Sequence, residues 1–158
     1  MDLQAVRQFY DYNYWAHGCV WQSVEQMNKN QFLREIEYSV GSIRNQLVHT
    51  MSYEWVYLRR MHGEPSVQML PYEDFPTKAS VQNRWAEIES AWRAYLDVLT
   101  ENDLSEAVTY FSAGGDEYTN TRIQLLQHLA NHSTDHRAQT LAMMHMMGIE
   151  TQPQDFIY

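Results

Sequence analysis

The sequence predicts an all-α fold, a four-helix bundle, and three observations lead there. Four long stretches carry apolar residues at spacings of three and four, the period of a helix that buries one face. Helix-starting residues and glycine or proline stops bracket these stretches. The remainder of the 158 residues leaves little chain for any other layer, so residues 1–158 are expected to form a single domain with a sizeable core.

The first helix is expected from about Asp2 to Met27, with Val6, Phe9, Tyr10, Asn13, Ala16, Val20 and Val24 on one face. The second starts near Gly41–Ser42 and runs to His62. Ile43, Leu47, Met51, Glu54 or Trp55, and Leu58 keep its period, and Gly63 and Pro65 end it. A third helix spans about Ser80 to Thr100, with Ser80 as N-cap and Trp85, Ile88, Trp92, Tyr95, Leu96 and Leu99 as its stripe. The fourth covers about Thr121 to Met147 and closes at Gly148. Its inward seam reads Leu125, Leu129, His132, His136, Thr140, Met143 and Met147.

Two connections have a character of their own. Gly63 to Ala79 holds three prolines and is long enough to cross from one end of a bundle to the other, so helix directions need not alternate. Between Glu106 and Thr121, Val108, Tyr110 and Phe111 precede Gly114–Gly115 and Tyr118, the pattern of a small β-hairpin ahead of the last helix. The aromatic tail, Gln152 to Tyr158, is expected to pack back on the bundle.

Composition excludes several classes. A formal charge of −9, with eleven Lys and Arg in all, argues against nucleic acid as a partner. No stretch approaches the ~18 apolar residues of a membrane span, and the start lacks the basic and apolar regions of a signal peptide. A cytoplasmic protein is the expectation. Cys19 is the single cysteine, which rules out an intrachain disulfide and a Cys-rich metal site. It reads as a small buried hydrophobe.

Chemistry concentrates in the histidines. His128, His132 and His136 recur every fourth residue, so their imidazoles stack along one flank of the last helix. A His-x₃-His pair brings two ring nitrogens within reach of one ion. His132 and His136 lie on the inward seam, where neutral imidazoles need partners; one shared ion or two separate hydrogen-bond networks would serve. His128 is too far along the axis to join the same ion and is placed at the rim or behind the ligands. His49, flanked by apolar residues on the second helix, is the natural third ligand. Three nitrogens leave a coordination position open for water or substrate, as in catalytic zinc sites. His145 is expected on the opposite face, and His17 and His62 on the surface.

Competing metal architectures fit poorly. No Glu has a His three residues later, as di-iron bundles require, and there is no HExxH. The Met143-Met-His-Met-Met147 cluster is better explained as flexible packing than as a copper site. The five Trp and eleven Tyr either pack core and interface or line an apolar pocket above the ion.

Leu125-Leu-Gln-His128, Asn131-His132 and His136-Arg137-Ala-Gln139 resemble the C-terminal helix signature of the DinB/YfiT-like superfamily of metal-binding bundles. Gly41 to His49 is similar to its second-helix segment, Tyr12-Asn13-Tyr-Trp15-Ala16 to its first-helix motif, and Gly148, Pro153 and Asp155 to its tail. The resemblance spans nearly the whole chain. It implies an up-down-down-up bundle, a homodimer, and a divalent ion on His49, His132 and His136. Relatives of this kind include thiol-dependent transferases and isomerases that use mycothiol, bacillithiol or glutathione.

Two functions follow as expectations. One is a divalent-metal-dependent enzyme acting on a small-molecule substrate, as a low-molecular-weight-thiol S-transferase or a hydrolase. Zinc is the first choice of ion, with nickel or iron as alternatives. The other is a non-enzymatic, metal- or ligand-binding dimeric bundle, of use in a stress response. Tyr53, Asn131 and Asp135 lie near the histidines in sequence, but none is assigned as general acid or base.

Overall fold

A computed structural model describes residues 1–157. Four long helices form the bundle: α1 (Leu3–Gln26), α3 (Ile43–Met61), α4 (Lys78–Val98) and α5 (Arg122–Met146). A short α2 (Lys29–Leu33) sits in the first connection, and the hairpin of β1 (Ala107–Phe111) and β2 (Glu117–Thr121) precedes α5. The strands pair antiparallel, with Thr109 opposite Thr119. No helix among the described residues is long and apolar enough to cross a membrane.

The helix ends follow local chemistry. Asp2 accepts from the Ala5 N–H and Ser42 from the Asn45 N–H, each satisfying a free donor of the first turn. Thr77, not Ser80, caps α4. The two hydroxyl residues form a reciprocal capping box, which moves the start of the helix up by one turn. Gly63 and Gly148 close α3 and α5 in the left-handed region, at φ 85° and 70°. The five-residue α2 has too few positions to show a period. Its Asn28–Gln31 capping box is nonetheless present, and Phe32 pins it to the core.

Cross-links between helices set their directions. Arg7 donates to the Leu96 carbonyl and Lys78 to the Met27 carbonyl, so α1 and α4 run antiparallel. Gln46 bonds Gln139 while Tyr57 lies beside His128, so α3 and α5 are antiparallel as well. By contrast, Glu54 meets Trp85 and Trp92, and His62 meets Tyr95, which makes α3 and α4 parallel. The result is up-down-down-up, with the long Gly63–Thr77 connection carrying the chain back to the end where α3 began. Trp92, Ile43, Met51, Ile88, Leu126, Leu129, Met143 and Met144 are among the fully buried side chains at the centre.

Three expectations about burial need correction. The inward line of α5 passes through Ser133 and Arg137, both buried, whereas His132 and His136 are half-buried at its edge. The reason is that α5 packs against two helices. Leu126 and Arg137 face α1, where they meet Tyr10 and Asn13, while the histidines face α3. His17 is buried rather than exposed, 7% accessible, with its ring 4.6 Å from that of Trp85. In the tail, Phe156 packs on Phe9 and Tyr12, but Ile157 is 89% exposed; Tyr158 lies outside the described residues. Cys19 is buried and free, as expected, and His62 and His145 are exposed.

His17 belongs to a buried polar cluster at the bundle centre. Glu54 is 1% exposed; its Oε2 accepts from Trp85 Nε1 at 2.9 Å, and its Oε1 lies 3.9 Å from His17 Nδ1. That second separation is too long for a hydrogen bond, and burial disfavours both charges, so the contact is neutral rather than an ion pair. Burial pushes Glu54 up to about 8, partly opposed by the Trp85 hydrogen bond. Burial, aided by Arg137, holds His17 well below the usual histidine range.

A pH dependence follows. In the unfolded chain Glu54 ionises near 4.5, but the folded protein retains its proton to about 8. Between those values the folded state binds the extra proton, so stability falls as pH rises. His17 slopes the other way, but only below its ordinary value of 6.5, where the unfolded chain takes up a proton that the folded one refuses. From pH 6.5 to 8 the Glu54 contribution therefore acts without opposition from His17. The melting temperature of Glu54→Gln should gain on the wild type across this window; parallel curves would refute the assignment.

Candidate metal centre

Residues on two antiparallel helices build the centre. On α3, His49 projects toward α5 one turn after Gln46; on α5, His132 and His136 stand one turn apart. Ring centroids are 5.2 Å apart for His49–His132, 4.3 Å for His49–His136 and 4.4 Å for His132–His136. One nitrogen from each ring lies within 4.8 Å of the others. The pair singled out from its spacing and His49, singled out by its apolar flanks, are therefore brought together. His128 is exposed, its ring 6.1 Å from His132, at the rim of the cluster.

The rings are neutral by construction. Burial lowers His49 to about 4 and His132 to about 3, and the adjacent imidazoles add to both shifts. Burial lowers His136 too, against the opposing pull of Asp135. Near neutral pH all three therefore present lone pairs rather than ammonium-like donors.

A chain of hydrogen bonds orients the His136 ring. Asp135 accepts from Gln139 Nε2 at 3.0 Å, and Gln139 Oε1 accepts from Gln46 Nε2 at 3.1 Å. Gln46 Oε1 then faces His136 Nδ1 at 2.9 Å. With its amide nitrogen committed to Gln139, Gln46 accepts from the imidazole, so Nδ1 carries the proton and Nε2 keeps its lone pair. Tyr53 stacks flat on His132, 3.8 Å between centroids and 21° between planes. His132 Nδ1 is buried and has no hydrogen-bond partner. One nitrogen from each of three neutral imidazoles within this reach could hold a borderline divalent cation.

The profile of the DinB family matches residues 1–158. The chain belongs to the DinB family. Among curated proteins it is similar to Protein DinB of Bacillus subtilis (strain 168), 21% identical over 154 residues, with 94% of this chain and 90% of that one covered. Among solved structures, a DinB-like protein from Bacillus cereus superposes with a TM-score of 0.74 at 15% identity, covering 96% of this chain and 97% of the other. YfiT from Bacillus subtilis follows at 0.70 and 16%, covering 95% and 91%. It is described as a probable metal-dependent hydrolase with an unusual four-helix bundle topology. At these identities the structural likeness speaks for the DinB fold.

In this DinB-family chain, sequence reasoning missed Gln46 and Gln139. Their signal was faint, since each lies three residues from a histidine of the cluster and glutamine is common on helix surfaces. Asn131, close to the cluster in sequence, faces away and lines an apolar cleft with Val6, Phe9 and Tyr10 of α1. Asp135 is exposed; it accepts from Gln139, and its charge opposes the lowering of the His136 pKa. Removing the amide that holds His136, as Gln46→Ala, should weaken divalent-cation affinity by about 10- to 100-fold in competition with a chromogenic chelator. Unchanged affinity would mean the ring needs no such support.

Proposed function

We propose that this chain is a divalent-metal-dependent enzyme with His49, His132 and His136 as the ligands. The convergence of one ring nitrogen from each of three neutral imidazoles within 4.8 Å carries this reading. The YfiT description supports the same class. A cation held by three protein nitrogens keeps a position for a water or thiol and lowers its pKa. The chain's own contribution is orientation: Gln46 holds the tautomer of His136, and the Tyr53 ring fixes the plane of His132. The reaction is hydrolysis, or transfer to a low-molecular-weight thiol, of a small molecule entering beside His49 and Tyr53. Those two residues line a cleft of about 420 Å³ with Met69, Leu70 and Tyr72.

One observation favours the non-enzymatic reading: the cluster contains no carboxylate to serve as general base. Metal removal separates the two. Untagged protein is stripped with a chelator, reloaded with zinc, nickel or iron, and assayed with several thiols against an electrophile panel and with ester and amide substrates. Turnover lost on stripping and restored by one metal is expected. A melting temperature that drops on stripping, with no turnover in any state, would leave a metal-stabilised binding protein instead.

A further inference from the structure

Arg60 is a buried cation without a counter-charge. It is 9% exposed, and no carboxylate of the described residues lies within ion-pair distance of it. Its Nη2 donates to the Phe111 carbonyl at 2.8 Å. Nε is buried with no acceptor. The Tyr57 and Tyr110 rings flank the guanidinium at 5.0 and 4.2 Å from their centroids. Aromatic faces and one carbonyl offset only part of the cost of burying this charge. Arginines 59, 84, 93 and 122 each have a carboxylate partner. Arg137, also buried without one, bonds Asn13, Tyr12 and Thr134 and lines neither the cleft beside His49 nor the cavity that Arg60 borders.

Arg60, in contrast, forms a wall of a cavity of about 590 Å³ between α3 and the hairpin, together with Tyr53, Tyr57, Tyr110 and His128. Tyr53 is the ring stacked on His132, so this cavity begins where the histidine cluster ends. Helix geometry sets the span. Arg60 comes eleven residues after His49 on α3, which returns it to nearly the same angle about 16 Å further along the axis. A surface with net charge −9 repels anions, so an uncompensated guanidinium in the cavity gives an acidic ligand a specific place to bind.

We propose that Arg60 is the anion-recognition residue of this cavity, which adjoins the histidine cluster at Tyr53. It takes the carboxylate of an elongated organic acid whose body lies against the tyrosines and whose far end reaches the histidine cluster. A carboxylate matches the planar donor edge of the guanidinium and supplies the missing counter-charge. The hairpin acquires a role as well: through Phe111 and Tyr110 it positions the guanidinium and walls the cavity. This rests on the metal-site reading for the reacting end of the ligand, whereas the carboxylate end stands independently.

The test titrates full-length protein, as purified and after chelation, with 4-phenylbutyrate and its uncharged isostere 4-phenylbutyramide by calorimetry. The carboxylate is expected to bind at least about tenfold more tightly than the amide, with or without metal. Arg60→Gln is expected to bring the two within about twofold of each other. In wild-type protein, an NMR titration follows the assigned Arg60 Nε–Hε resonance, which should move with the carboxylate and not with the amide. That measurement holds even if the variant fails to fold. Equal affinities, absence of binding by both probes, a preference retained in Arg60→Gln, a stationary Nε–Hε signal, or carboxylate binding that disappears on chelation would each overturn the proposal. A failed metal site alone would leave the carboxylate preference in place, so the two readings fail separately.

Discussion

Alanine at position 132 is expected to abolish one-to-one binding of a divalent cation while leaving the bundle folded. His132 is the member of the cluster whose Nδ1 is buried with no other partner, and its ring is the one that Tyr53 covers. Without it, His49 and His136 remain as a two-nitrogen site. Structural zinc sites bind with about 10–16 kcal/mol over four ligands, so one imidazole corresponds to about 2.5–4 kcal/mol, roughly 70- to 900-fold in affinity. Folding should tolerate the change, because His132 lies at the edge of the buried line of α5 and alanine is the best helix former. Elemental analysis after dialysis against a competing chelator should find one ion per wild-type chain and none in His132→Ala, with the helical circular dichroism retained. His128→Ala, outside the cluster, is the matched control and should keep its ion. An ion retained at full occupancy in His132→Ala would remove the histidine from the ligand set.

The largest expected loss of stability is at Trp92. The indole is fully buried, packs 5.6 Å from both Tyr10 and Tyr95 between ring centroids, and donates from Nε1 to the Glu54 carbonyl at 3.0 Å. One side chain thus joins α4 to α1 and α3. Trp92→Ala removes that apolar surface and leaves a cavity, at a cost of about 3–5 kcal/mol. For a chain of this length the melting temperature should fall by roughly 10 °C. Trp15→Ala, at a side chain 45% exposed, should change it little. Urea denaturation of both variants gives the comparison, and a Trp92→Ala loss below about 1 kcal/mol, no more than an average point mutation, would show that the core reseals around the vacancy.

Much of the site is legible in the amino-acid order itself, for a simple reason. His132 and His136 belong to one helix, where a spacing of four alone places two rings side by side. His49 needs a second step, since its match to that pair depends on how α3 and α5 are set along each other. Gln46 and Gln139 are out of reach, because their contact joins residues 93 positions apart. Arg60 is equally silent: an arginine near a helix end reads as a solvated charge until a hairpin folds over it. His17 misleads for the converse reason, since its burial depends on Trp85 and Glu54 arriving from two other helices.

The chain's own pattern determined the number of long helices, the ends of α1, α3 and α5, the hairpin, and the paired histidines of α5. All of these depend on residues within a few turns of one another, where spacing and capping chemistry act directly. Tertiary structure alone decided which arc of α5 faces inward, that Glu54 and His17 share a buried interior, and that Arg60 lacks an acid partner among the described residues. Each of those depends on what arrives from a distant segment, because burial and charge compensation are properties of the assembled bundle.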